Sequence, residues 1–287
     1  MENIRFEKLT NLFKQLDESL KFNIAEIGAH PYSEKEEPFY KLIEKFPNSK
    51  VFAFEVDKKE CEKLNKDARK GVKFYPVALG NKNEKRLFYQ TNHPQCSSLY
   101  EPNEEYLKMF NRLEVAILKN TIKVDTMTLD SFCQTENIEN IDFIKIDIQG
   151  AELDVFEGAI STLKNTLAII SEVEFVELYK NQPLFEDVTK FLKKSGINFH
   201  KFINISGRTM KPLILQNNEL HATQHMWADT MFIKKIENIK NLESSQLLKL
   251  SLISSIYGSP DLSFYCLKIF DNKNKTNSLN EFKKIWL

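Results

Sequence analysis

Seven apolar runs of β-type composition alternate with stretches of helical period along residues 22–234, and this alternation restricts the chain to few architectures. The runs lie at 22–27, 51–55, 72–79, 142–147, 167–175, 199–205 and 228–234. Between the first two, Phe39, Leu42, Ile43 and Phe46 share one face of a helix over 36–46. Further helices are predicted at 58–68, stopping near Gly71, at 151–163, burying Val155, Phe156, Ala159 and Leu163, and at 184–194, stopping at Gly196. Strands alternating with helices build right-handed βαβ units, hence a mostly parallel sheet covered on both faces. The expected fold is a doubly wound α/β domain.

The ends of the chain read differently. Phe6, Leu9, Phe13, Leu16 and Leu20 predict a helix within 1–21. Residues 237–287 carry no strand pattern. A helix over 244–257 places Leu247, Leu248, Ser251 and Ser255 along one face, and Gly258-Ser259-Pro260 breaks it. Ser259 reads as an N-cap and Pro260 as the first helical residue of a second helix over 261–270. The tail is thus expected to be a C-terminal helical hairpin, with 272–278 as a mobile polar loop. The division is 1–21 N-terminal helix, 22–236 catalytic-type domain and 237–287 helical extension. Packing on the core, covering a site and forming a homodimer contact are three open uses of the tail, with packing favoured.

Composition narrows the function classes. Lys plus Arg and Asp plus Glu both number 40, so the basic excess that neutralises phosphates in nucleic-acid binders is absent overall. No apolar run reaches the roughly 18–20 residues that span a bilayer, and the first residues lack a secretion signal's apolar centre. Cys61, Cys96, Cys133 and Cys266 are scattered, without metal-ligand spacing, and read as reduced thiols of a cytoplasmic protein.

Three stretches carry chemistry. The first strand ends in Glu26-Ile27-Gly28-Ala29-His30, where glycine permits a tight turn and close ligand approach and Glu26 suits an ammonium group. A single glycine is not the G-x-G-x-x-G cradle of NAD or FAD sites. Glu55 closes the second strand, where a carboxylate accepts from both hydroxyls of a ribose; the alternative is a solvated strand end. A ribose site without a pyrophosphate cradle fits S-adenosylmethionine. The third stretch, Ile141 to Glu152, puts Lys145 and Asp147 on one face of a buried strand, with Gly150 at the turn and Glu152 in the next helix. Buried charges of this kind bind something or pair with each other, here Lys145 with Asp147 or Glu152.

The block Phe143-Ile144-Lys145-Ile146-Asp147-Ile148-Gln149-Gly150-Ala151-Glu152-Leu153 resembles the FkbM-type S-adenosylmethionine-dependent methyltransferases. Val77-Ala78-Leu79-Gly80, Ser97-Ser98-Leu99, Thr128-Leu129-Asp130, the Glu172–Phe185 segment and Ala228-Asp229-Thr230-Met231-Phe232 follow the family's order. The resemblance implies a Rossmann-like seven-stranded methyltransferase sheet whose last strand, 228–234, is antiparallel. It implies cofactor contacts at Glu26, Gly28, Ala29 and Asp147 for the methionine end, Glu55 for the ribose, Ala78 and Leu79 near adenine, and Ser98. Glu26, His30 and Pro31-Tyr32 stand where many members carry Asp, Asn and a second glycine, which marks a variant of the first loop.

Methyl transfer to a hydroxyl needs alignment and a proton acceptor. The candidates are Asp147, Glu152, Glu172 and His225, with Lys145 in the same catalytic group; alternatively Asp147 and Glu152 hold a divalent metal. The family's habits imply O-methylation of a sugar, glycan or sugar-containing metabolite. Tyr32, Tyr100, Tyr106 and Trp227 are candidate sugar-stacking residues, with packing favoured for Tyr100 and Tyr106. A nucleic-acid methyltransferase, a nucleotide-dependent oxidoreductase and a non-catalytic binding module are the rival readings.

Overall fold

The computed structural model describes residues 2–29 and 37–286. Helix α1 (Glu2–Leu16) leads into β1 (Asn23–Ile27), α2 (Tyr40–Lys45), β2 (Lys50–Phe54), α3 (Lys58–Lys66) and β3 (Val72–Tyr75). Strands β4 (Ala78–Leu79), β5 (Glu84–Thr91) and β6 (Leu118–Met127) follow, with the short α4 (Glu104–Leu107) between the last two. Then come α5 (Leu129–Thr135), β7 (Phe143–Ile146), α6 (Glu152–Glu157), α7 (Ile160–Leu163), β8 (Ala168–Glu174), α8 (Phe185–Lys194), β9 (Ile197–Arg208) and β10 (Gln224–Lys234). The chain continues through α9 (Ile236–Ile239), α10 (Ser244–Ile256), α11 (Pro260–Asn274) and α12 (Ser278–Trp286).

The seven-stranded sheet runs β3-β2-β1-β7-β8-β10-β9. β10 is antiparallel to both neighbours, and the pairings of β1, β2, β3, β7 and β8 are parallel. The order reverses between β1 and β7, which opens a crevice beyond their carboxyl ends. Side-chain alternation sorts each strand between two cores. Ile24, Val51, Phe143, Ile170 and Met231 face a core shared with α1, α2 and the C-terminal helices. Ala25, Phe52, Ile144, Ile169 and Phe232 face the other, covered by α5 through α8.

The tail is built into the first core. Helix α10 buries Leu247, Leu248, Leu250, Leu252 and Ile253, each contributing about 1.5–3 kcal/mol. Its small residues let α11 approach closely: the Ser251 and Ser255 hydroxyls both lie 2.7 Å from Ser263 Oγ. Lys249 Nζ, 2.8 Å from Asp142 Oδ1, ties α10 to the entry of β7.

The structure corrects several sequence boundaries. The run 72–79 splits at Pro76, because proline cannot donate to the ladder; β3 joins the main sheet and β4 pairs with β6 in a second sheet ordered β4-β6-β5. The helix over 151–163 divides into α6 and α7 around Gly158. Residues 272–278 are not a loop throughout: α11 runs to Asn274, Lys275 turns at φ +57°, and α12 starts at Ser278. Ser259 precedes α11 without a side-chain cap, its hydroxyl meeting His200 Nε2 at 2.9 Å instead. The β5–β6 pair escaped the pattern analysis because β6 is largely exposed along both faces, so no apolar alternation marks it. All four cysteines are free thiols, and among the described residues no helix is long and apolar enough to cross a membrane.

Candidate active site

On the four central strands the face toward the first core changes from apolar to ionisable near the crevice. Ile24 gives way to Glu26 on β1, Phe143 to Lys145 on β7, Ile170 to Glu172 on β8, and Met231 to Asp229 on the antiparallel β10. Register then aligns them: Glu26 lies beside Lys145, and Asp229 opposite Glu172. Lys145 Nζ stands 3.6 Å from Asp229 Oδ1 and 3.9 Å from Asp147 Oδ2. Burial alone lowers an ammonium's pKa, but Asp147, Asp229, Glu37 and Glu172 outweigh it and hold Lys145 raised and charged. Burial raises Glu26 to about 7 despite a hydrogen bond from the Tyr40 hydroxyl. Glu37 is likewise raised by burial and faces Tyr257, which follows α10, so the tail reaches the floor of the crevice.

A turn after β7 organises the other side. Gln149 sits at φ +60° and is followed by Gly150. Its Nε2 donates to Asp147 Oδ1 at 3.0 Å and to Glu172 Oε2 at 2.7 Å. Its Oε1 accepts from the Tyr179 hydroxyl at 2.9 Å, and its backbone carbonyl accepts from Ser98 Oγ at 2.7 Å. Glu152 turns inward to accept from the Ile148 N–H at 2.8 Å rather than pairing with Lys145. Burial and mutual repulsion raise Glu152, Glu172 and Glu174. Asp147, Glu152 and Glu172 each offer an oxygen within 4.8 Å of the others, a hard-ligand set of the type that magnesium accepts. Donors already occupy one oxygen of each.

Two cavities meet at Gly28, Asp147 and Gln149. The smaller, about 270 Å³, is bounded by Glu55, Val77, Ala78, Leu79, Leu99 and Ile148, with Asp57 and Asp147 as its other carboxylates. Glu55 Oε1 accepts from the Asp57 N–H at 2.8 Å, and burial raises its carboxyl. The larger, about 520 Å³, is lined by Glu26, Lys145 and Glu172 together with Gln95, Arg208 and Trp227. Gly28 is required at the junction: at φ +81°, an added Cβ would lie 1.9 Å from the Asp147 carbonyl oxygen.

The structure thus brings Glu26, Gly28, Glu55, Ala78, Leu79, Lys145, Asp147 and Glu172 to the cavity walls. It keeps Ala29, Ser98, Glu152 and His225 off them. Ala29 is buried with its N–H on the Phe54 carbonyl. Ser98 is buried as the bracket on Gln149, and its neighbour Ser97 lines the smaller cavity. His225 is exposed on β10 and lines neither cavity. Tyr100 and Tyr106 pack and hydrogen-bond, with Asp154 and Gln224 respectively, while Trp227 reaches the larger cavity. His30, Pro31 and Tyr32 lie outside the described residues. Sequence reasoning assigned no role to Gln149, Tyr179, Asp229 or Arg208. Gln149 and Asp229 stood inside quoted blocks, and a polar residue before the turn glycine was the available signal. Arg208 had none.

The model of the methyltransferase FkbM domain matches residues 26–199. The 2-O-methyltransferase NoeI of Sinorhizobium fredii (strain NBRC 101917 / NGR234) is 28% identical over 160 residues, 50% of this chain and 66% of that protein, just short of two thirds of its length. Two solved structures are similar over 78% of this chain and 46% of theirs: one titled as the structure of LepI complex with SAM (10% identity, TM-score 0.31), the other as a pericyclic reaction enzyme (11%, TM-score 0.30). At those scores neither carries an argument about this chain.

Proposed function

Because the chain belongs to the FkbM methyltransferase family, we propose that it is an S-adenosylmethionine-dependent O-methyltransferase acting on a hydroxyl of a sugar or sugar-containing molecule. The observation that carries this reading is the pair of cavities joined at Gly28 and Asp147, one shaped for an adenosine and the other open to an acceptor. The cofactor fits the residues present. Glu55 suits the ribose hydroxyls, the Val77–Leu79 wall suits adenine, and Glu26 with Asp147 suits the ammonium and sulfonium charges. The glycine at position 28 lets the ends of β1 and β7 close up where the two cavities meet. S-adenosylmethionine, when bound, supplies an electrophilic methyl group on sulfur.

The chain's own residues then align and deprotonate the acceptor. Glu172 is the favoured proton acceptor: it lines the larger cavity, its carboxyl is raised well above the ordinary range by burial and neighbouring acids, and Gln149 holds Oε2 in place. Lys145 balances the acids around it and keeps Asp147 and Asp229 oriented. A hydroxyl acceptor is also supported by the name of the relative, a 2-O-methyltransferase. The test is calorimetric titration with S-adenosylhomocysteine, followed by methyl transfer from S-adenosylmethionine to a panel of mono- and oligosaccharides. Saturable binding that Glu55→Ala and Asp147→Ala weaken at least tenfold is the expected result. Normal binding by both folded variants would remove the proposed cofactor site.

A further inference from the structure

The larger cavity is lined by charges of both signs, and register separates them: Arg208 pairs with Gln224 on β10, five residues before the Asp229 that stands opposite Glu172. Its acids, Glu26, Glu37, Asp147 and Glu172, gather around Lys145, which is paired. Its other cation, Arg208, has no carboxylate partner among the described residues. The Cys96 thiol also lines this cavity, and both Asp147 and Arg208 act on it.

Arg208 is held in place without being satisfied. It ends β9, and its Nη1 donates to the Gly207 carbonyl at 2.7 Å. Its guanidinium carbon lies 4.8 Å from the centre of the Trp227 ring. The β9–β10 register shifts between His225 and Trp227, a bulge that re-aims the tryptophan. Nε is buried and has no hydrogen-bond partner among the described residues. Burial works against the charge; Cys96 favours it, and a second cation, Arg112, opposes it. A planar, stacked, half-buried guanidinium with unused donors matches an oxyanion that accepts hydrogen bonds in its plane.

We propose that Arg208 is an acceptor-specificity residue: it binds an oxyanion substituent of the saccharide, a carboxylate or a phosphate ester, at the end of the cavity away from the Glu172 carboxylate. This deepens the proposed function and rests on it. The acceptor would then lie across the cavity with its anionic group on Arg208 and its reacting hydroxyl toward Glu172. The same charge layout disfavours the reversed pose, which would set the anion among four acids.

The probes are glucose, glucuronic acid and glucose 6-phosphate, titrated into the whole 287-residue chain saturated with S-adenosylhomocysteine. One or both anionic probes are expected to bind about tenfold or more tighter than glucose, the scale of one charge-assisted hydrogen bond. Whether the carboxylate or the phosphate ester shows the gain identifies the source of the oxyanion. Arg208→Gln is expected to reduce the anionic probes to the level of glucose, and Arg208→Lys to restore part of the preference, with melting curves checking that both variants fold. Equal affinities in the unmodified protein, no binding of either anion at millimolar concentration, or a preference that survives in Arg208→Gln would each overturn the assignment. If S-adenosylhomocysteine itself fails to bind, the proposed function falls first. If it binds and the anions show no preference, only the role of Arg208 falls.

Discussion

Replacing Gly28 with alanine tests the junction on which both cavities depend. At φ +81° the new Cβ would stand 1.9 Å from the Asp147 carbonyl oxygen, whereas real Cβ atoms essentially never come within 3.0 Å of such an atom. The ends of β1 and β7 must therefore part by about 1 Å, as the difference of those distances requires. Asp147 N–H donates to the Ile27 carbonyl at 3.0 Å, so that bond is the first to stretch. Its loss costs about 0.5–1.5 kcal/mol, and a left-handed backbone at a residue with a Cβ costs about 1–2 kcal/mol. Together these predict about 1.5–3.5 kcal/mol of destabilisation, or a fall in Tm of about 3–14 °C for a chain of this size. The displacement also falls on the methyl-donor site, where a 1 Å misplacement costs on the order of 10²-fold in rate. Gly196→Ala is the control, because Gly196 shares a positive φ of +77° but has nothing within 4 Å of an added Cβ. The assay is a thermal melt of both variants with calorimetric titration of S-adenosylhomocysteine. The expected result is a lower Tm in both and lost affinity in Gly28→Ala alone. Unchanged Tm and unchanged affinity in Gly28→Ala would refute the close-approach argument.

The buried acids set the pH behaviour. Glu26 rises from an ordinary value of 4.5 to about 7 on burial, so the folded state binds the proton more tightly than the unfolded chain. The stability this contributes is fully present below pH 4.5 and is lost as pH rises through about 7, a change of about 3 kcal/mol. Denaturant titrations at pH 5 and 8 should therefore show Glu26→Gln more stable than the parent at pH 8 yet weaker for S-adenosylhomocysteine; an unchanged pH dependence would remove Glu26 as its source. Glu172→Gln is expected to lower kcat by about 10²–10⁴ with cofactor affinity within about threefold, and full activity in a folded variant would reject it as the proton acceptor. Chelation with EDTA is expected to leave methyl transfer intact, since Gln149 and the Ile148 N–H already serve Asp147, Glu152 and Glu172. A loss reversed by magnesium would show that these carboxylates hold a cation.

Strand and helix order was legible in the sequence because side-chain period follows directly from backbone geometry. The runs at 22–27 and 142–147, the glycine at position 28 and the carboxylate at 55 were visible for that reason. So was the break at Gly258-Ser259-Pro260, where backbone freedom and a missing N–H act locally. What sequence could not supply was register between strands far apart in the chain. Pairing Glu26 with Lys145 spans 119 residues, and setting Asp229 against Glu172 requires β10 to enter between β8 and β9. Only that alignment turns four separate strand ends into one charged floor, with Gln149 bridging two of its acids and Tyr257 brought up from the tail. That no carboxylate among the described residues pairs with Arg208 is likewise a tertiary fact. An arginine's sequence neighbours say nothing about which distant carboxylates fold within reach of it, because ion pairing depends on distance in space and not along the chain.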